Sequence, residues 1–378
     1  MDKQERIRLI NMNSKILSIH QLRGIAALMV VFFHFRGYLN GQYAQKDIGS
    51  ILFNSGAFGV DLFFMISGFI IALSTKNPTP CSVFAVRRFF RIYPAFFVVF
   101  AVGALSVYSI EPLENLVRAM FFIHRDYRIE SPGFGYNILG PAWTLTYEIY
   151  FYTIFCIAMS ISHKYRTLIT SVILLSQIFI IQYIYNGDIS ISGDAAANVP
   201  YDSQLFSFLR FASSPILIEF IIGMMIYESF RKFSFDLGKG VGTFIFFVSL
   251  GFFITHYFSG IFSGFGLDKA GVISLVIFIG YLIYERSVGV KERASLNFLG
   301  DVSYSIYISH YLFINIFGYY KPEFFTSVNG IAKFFMMTTI TISAGAVLHY
   351  LVERPMIRFG KSIEGGLMMR TESRTKEA

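Results

Sequence analysis

Charge is scarce in this 378-residue chain: Asp, Glu, Lys and Arg make up 15% of it, against roughly a quarter in an ordinary soluble domain. So little charge cannot clothe a water-facing surface, which excludes a string of soluble domains. Cysteine is scarcer still. Cys81 lies in a basic stretch and Cys156 in an apolar block; two such residues do not make a disulfide-stapled secreted fold or a zinc cluster, and both read as inert thiols. The usual zinc motifs are missing. No fixed-period repeat is found, so inverted-repeat transporter architecture gets no support. The first apolar block starts too late, and lacks a small-residue cleavage site, for a removable signal peptide.

What is present is apolar mass, 54% of the residues, gathered in blocks rather than in amphipathic stripes. Runs of about 20 residues match the ~30 Å hydrocarbon thickness of a bilayer. The chain therefore reads as an all-α integral membrane protein with about ten transmembrane helices, centred on 22–39, 57–75, 92–110, 143–162, 166–185, 212–230, 241–258, 270–284, 303–320 and 331–351. Of the 32 Lys and Arg, 22 fall on the termini and even-numbered loops, 7 on the odd-numbered loops and three within spans. This bias puts both termini in the cytoplasm. Residues 1–21 form a cytoplasmic segment, basic and apolar by turns, that suits the membrane surface. Residues 22–357 form the transmembrane domain, and 358–378 a short polar tail expected to be disordered. Two longer outer loops, 111–142 and 186–211, contain Pro, Gly and aromatics as a folded lid does.

An ionisable side chain inside a span costs about 2.5–3.5 kcal/mol, so each is a functional candidate. In the first span Arg23 and His34 are eleven residues apart, which leaves them about 20° from one face and about 16 Å apart along the axis. A snorkelling Arg with an interhelical His is the plain alternative. Asp61, one turn inside the second span, lies at the depth of His34. A carboxylate holding one ring N–H would leave the other nitrogen free as a base; an ion pair with an outer-loop Arg is the alternative. Ser67 and Gly68 suit close helix packing instead. Arg88 and Arg91, one turn apart in FAVRRFFRIYP, make either a fork for phosphate or a positive-inside anchor. Thr144, Glu148 and Tyr152 form one stripe of the fourth span, and Ser303, Tyr307 and His310 one stripe of the ninth. Glu219 is a further intramembrane acid with no identifiable neighbour. Such stripes must converge on an interior cavity, because none can face lipid cheaply.

These motifs resemble the membrane-bound family called acyltransferase three, whose members O-acylate bacterial surface polysaccharides and related glycans. The family's basic residue, ten residues and histidine correspond to Arg23 and His34; FGVDLFFMISGF matches its second-span motif; and RRFFRIYP supplies its Arg-x-x-Arg as Arg88 and Arg91. PAWTLTYEIYFY, SYSIYISH and the closing VERP, with Glu353, follow in family order over residues 19–357. The resemblance implies transfer of an acyl group, most simply acetyl, from acyl-coenzyme A to a sugar hydroxyl in a bacterial inner membrane, with no permanently bound cofactor and no metal. It implies His34 as general base, Asp61 as its orienting partner, Arg88 and Arg91 with Arg23 on the donor phosphates, and Glu148 and His310 near the substrate. It also implies a stand-alone member without an appended hydrolase-like domain. Ten spans and polar stripes also suit a transporter or flippase of a lipid-linked saccharide, which would need neither a base nor an arginine fork.

Overall fold

A computed structural model describes residues 16–233 and 237–377, with side chains to residue 365. Among the described residues there is no β-strand. The long helices are α1 Leu17–Phe35, α2 Phe58–Ser74, α3 Cys81–Ala104, α4 Trp143–Ile161, α5 Arg166–Asn186, α6 Ile218–Lys232, α7 Gly238–Ser259, α8 Ala270–Ser287, α9 Ala294–Tyr320, α10 Gly330–Leu348 and α11 Arg354–Glu377. Among the described residues, seven helical stretches are long and apolar enough to cross a membrane. An eighth counts if Phe206–Ala212 and Pro215–Lys232, bent by 44°, form one span. The other two expected spans, α3 and α9, are 24 and 27 residues long. Both begin before their apolar stretches: α3 carries Arg87, Arg88 and Arg91 in its first half, and α9 opens with the half-exposed turns ASLNFLGD. Residues 1–15 of the expected surface segment lie outside the described residues. The expected disordered tail is instead helical in α11, which docks on α3 through Arg87–Glu364 (2.9 Å) and Phe90–Phe359 (5.5 Å).

The connections alternate in length along the chain. Those after α2, α4, α6 and α8 are short, whereas those after α1, α3, α5 and α7 carry turns and short helices. One end of the bundle is therefore trimmed and the other is elaborated. α2 is central, with 83% of its most apolar window buried, against 17% for α7, which lies at the periphery. Its contact with α6 brings backbone against backbone: a Cβ on Gly68 would overlap the Phe220 carbonyl, and one on Gly223 the Met65 carbonyl. Gly24 and Gly300 play the same part between α1 and α9, where a Cβ on Gly24 would sit 2.7 Å from the Gly300 nitrogen. Small residues permit this approach where lipid supplies no hydrophobic drive.

Cys81 and Cys156 are not separate thiols. They form a disulfide across 75 residues, with Cα atoms 5.5 Å apart, and tie the start of α3 to the last turns of α4. Pro80 precedes α3 and Gly187, at φ 79°, closes α5 in the left-handed conformation that glycine adopts without penalty.

Candidate active site

Four of the helices with polar stripes, α1, α3, α4 and α9, converge with α2 on a cavity of about 130 Å³. Arg23, Ser67, Arg88, Arg91, Thr144, Glu148, Tyr152, Ser303, Tyr304 and Tyr307 line it. The i, i+4, i+8 spacing on α4 puts Thr144, Glu148 and Tyr152 on one wall. Glu148 accepts hydrogen bonds from Ser67 Oγ (3.0 Å) and from Tyr152 OH. Ser67 thus belongs to the cavity, whereas Gly68 beside it does the packing expected of both.

The two arginines of the Arg-x-x-Arg motif are not equivalent. Arg88 donates to Ser74 Oγ (3.2 Å) and lies over the rings of Phe84 and Tyr152, and its buried Nε has no acceptor among the described residues. Arg91 is paired with the buried carboxylate of Glu353, which also accepts from Ser305 Oγ (2.6 Å) and faces His349 Nδ1 at 3.0 Å. The closing motif therefore folds back, across 262 residues of sequence, to hold one prong of the expected fork. Three guanidiniums, those of Arg23, Arg88 and Arg91, meet two carboxylates, Glu148 on the wall and Glu353 behind it. Among the described residues Arg88 has no carboxylate in ion-pair contact, which suits an anionic or strongly polar ligand.

His34 lies at the last turn of α1, and its partner is His310 of α9. His34 Nδ1 is 2.8 Å from the Val30 carbonyl and 3.2 Å from His310 Nε2. His310 Nδ1 is 2.6 Å from the Tyr307 carbonyl. Carbonyl oxygens only accept, so both Nδ1 atoms carry hydrogen. With both rings neutral, the one hydrogen of His34 Nδ1 is shared between the Val30 carbonyl and the lone pair of His310 Nε2, and His34 Nε2 keeps its own lone pair free. This is the state in which an imidazole serves as a base.

His34 faces a second and larger space of about 770 Å³, at the elaborated end of the bundle. Val60 and Tyr307 line both spaces and form the partition between them. The Tyr307 hydroxyl sits 3.0 Å from Thr144 Oγ1. The connection between α3 and α4 forms much of the vestibule wall through Glu111, Arg125, Tyr136 and Asn137. Tyr147 OH anchors it by donating to the Pro132 carbonyl (2.9 Å). The 111–142 segment is thus a folded wall.

Asp61 departs from the expected arrangement. Among the described residues its carboxylate is paired not with His34 but with the Gly266 amide, whose N–H donates to Oδ1 at 2.7 Å. Asp61 is fully buried, and the Glu219 carboxyl, equally buried, is its neighbour. Equal depth on adjacent helices did not bring Asp61 and His34 together, because α2 turns this residue toward α6 and the connection after α7. His310 occupies the position beside His34 instead. The sequence placed Glu353 in a motif without a role, and only its distance along the chain from Arg91 hid the pairing.

A family profile described as an acyltransferase domain matches residues 16–350. The exopolysaccharide production protein ExoZ of Rhizobium meliloti (strain 1021) is 28% identical over 321 residues, 82% of this chain and 92% of that protein. Acyltransferase MdmB of Streptomyces mycarofaciens is 23% identical over 369 residues, 91% and 92% of the two chains. A putative acetyltransferase, ORF330, of Acidianus two-tailed virus is 23% identical over 316 residues, 79% and 84%. No solved structure matches.

Proposed function

The chain belongs to the acyltransferase domain family, and from that membership we propose that it moves an acyl group, acetyl in the simplest case, from acyl-coenzyme A to a hydroxyl of a cell-surface polysaccharide or its lipid-linked precursor. The observation that carries this reading is the pair of spaces on either side of the Val60–Tyr307 partition, lined by three arginines on one side and by His34 on the other. The exopolysaccharide link of one relative's name supports the acceptor class. In this reading ten helices cross a bacterial inner membrane, both termini are cytoplasmic, and the vestibule opens outward.

The donor enters from the cytoplasmic side. The thioester arm occupies the cavity, and the nucleotide phosphates stay at its mouth near Arg88. The acceptor hydroxyl enters from the vestibule. His34 Nε2 removes its proton as the hydroxyl oxygen attacks the thioester carbonyl. The C–S bond breaks, the ester forms, and the coenzyme A thiolate takes the proton back from the imidazolium. His310 Nε2 accepts the His34 Nδ1–H throughout and stabilises the imidazolium while it lasts. A positioned base of this kind contributes about 10²- to 10⁴-fold in rate. The thioester already has a good leaving group.

The test is His34→Ala. It is expected to leave a protein that inserts and folds but releases coenzyme A on addition of acceptor about 10²- to 10⁴-fold more slowly, and to remove the O-acyl signal from surface polysaccharide in proton NMR. Normal acylation in that variant would overturn the assignment.

A further inference from the structure

The vestibule has a chemistry of its own, and on the reading above it is where the acceptor sits. Among the described residues, the Asp, Glu, Lys and Arg side chains that line it are two, Glu111 and Arg125. They are paired with each other: Arg125 Nη2 lies 3.1 Å from both Glu111 oxygens. The pair presents hydrogen-bonding groups with no net charge. Arg125 is held in turn by its backbone N–H, which donates to the Tyr136 carbonyl at 2.9 Å.

Tyr136 is the second feature. Its backbone has φ 58°, a left-handed conformation that is a genuine outlier for a bulky residue and is retained where the surroundings impose it. The Arg125 bond on its carbonyl and its own N–H to the Gly133 carbonyl (2.6 Å) impose it. The result is a ring that remains 50% exposed on the vestibule wall. It lies 6.1 Å from the ring of Trp143, the single Trp of the chain, which also lines the vestibule. An exposed aromatic face beside a neutral hydrogen-bonding pair matches the two sides of a pyranose, one of C–H groups and one of hydroxyls.

We infer that Tyr136 and the Arg125–Glu111 pair form an acceptor subsite selective for an uncharged sugar over a uronic acid. An incoming carboxylate would meet the Glu111 carboxylate and would have to compete with it for the Arg125 guanidinium, whose Nη2 faces both Glu111 oxygens.

The sole Trp lies in this wall, so its fluorescence reports occupancy directly. The full-length protein in detergent is titrated with a neutral glucose hexasaccharide and with a galacturonic acid hexasaccharide. The neutral probe is expected to give a saturable change, and the acidic one to bind at least about tenfold more weakly. Tyr136→Gly, which suits the observed φ and so spares the backbone, is expected to weaken the neutral probe about tenfold. Tyr136→Phe keeps the ring and should bind as the unaltered protein does. Equal or tighter binding of the acidic probe, no saturable change with either probe, or an unaffected Tyr136→Gly would each overturn the subsite. Selective binding of the neutral probe without any acyl transfer in the same preparation would support the subsite and sink the proposed function.

Discussion

The histidine pair makes a quantitative prediction that a single intramembrane base would not. His310 touches the reacting centre only through His34, so it is a positioning residue. Its Nε2 lies 3.2 Å from His34 Nδ1, and that bond becomes charge-assisted when His34 takes the acceptor's proton. A hydrogen bond to a charged group is worth about 1.5–3 kcal/mol, or about 10- to 150-fold in rate. His310→Leu is therefore expected to lower kcat by that factor with KM for both substrates nearly unchanged. His310→Gln, whose amide oxygen reaches the position of Nε2, should recover most of the loss. The assay is coenzyme A thiol release by purified protein with saturating acceptor. The discriminating measurement is the double variant. Once His34 is alanine, His310 has nothing to position, so adding His310→Leu should cost almost nothing more. If His310→Leu costs the same factor in both backgrounds, the two histidines act independently and the relay is wrong. A loss in His310→Leu as complete as in His34→Ala would likewise show that His310 does more than orient.

The two arginines of the motif should separate experimentally. Arg88→Ala removes a guanidinium with an unfilled Nε and is expected to weaken acyl-coenzyme A binding about tenfold or more by calorimetry, with thermal unfolding unchanged. Arg91→Ala leaves the buried Glu353 carboxylate uncompensated, which costs about 3–5 kcal/mol; thermal unfolding should show this loss, and Glu353→Gln in the same chain should recover part of it. The vestibule wall should also respond to acid. Burial among Tyr127, Phe134, Tyr147 and Phe211, with a smaller push from Arg118, lowers the His124 imidazole from 6.5 to about 3. The folded wall thus holds His124 neutral; its stability is complete above pH 6.5 and falls as the pH drops toward 3. At pH 4.5 the loss is on the order of 2 to 3 kcal/mol. Hydrogen exchange across 121–139 should be faster at pH 4.5 than at pH 7, and His124→Phe should flatten the difference; equal protection at both values would contradict it.

The membrane class, the helical architecture and the cavity-lining stripes follow from local pattern. Blocks of about 20 apolar residues have one stable solution in lipid, where every backbone polar group must be satisfied within the segment. Polar residues at i, i+4 and i+8 on such a helix must face inward, so Thr144, Glu148 and Tyr152, and likewise Ser303 and Tyr307, could be assigned to an interior site from spacing alone. The extents of α3 and α9 could not. Charged and polar residues break the apolar pattern in their first halves, Arg87, Arg88 and Arg91 in α3 and Asn297 and Asp301 in α9, so apolar windows cannot show where these helices begin.

Partners, unlike faces, are decided by tertiary structure. The apolar windows establish depth, and depth made Asp61 and His34 look like a pair. Which residue at that depth meets His34 depends on helix rotation and neighbour order, and these are set by where backbones approach closely, at Gly68 with Gly223 and at Gly24 with Gly300. That packing brings His310 to His34, turns Asp61 to Gly266 and Glu219, folds Glu353 onto Arg91 and joins Cys81 to Cys156. The sequence alone established which side chains had to be hidden from lipid; the packing of the helices decided which of them meet, because side-chain periodicity specifies a direction around a helix axis and says nothing about what waits there.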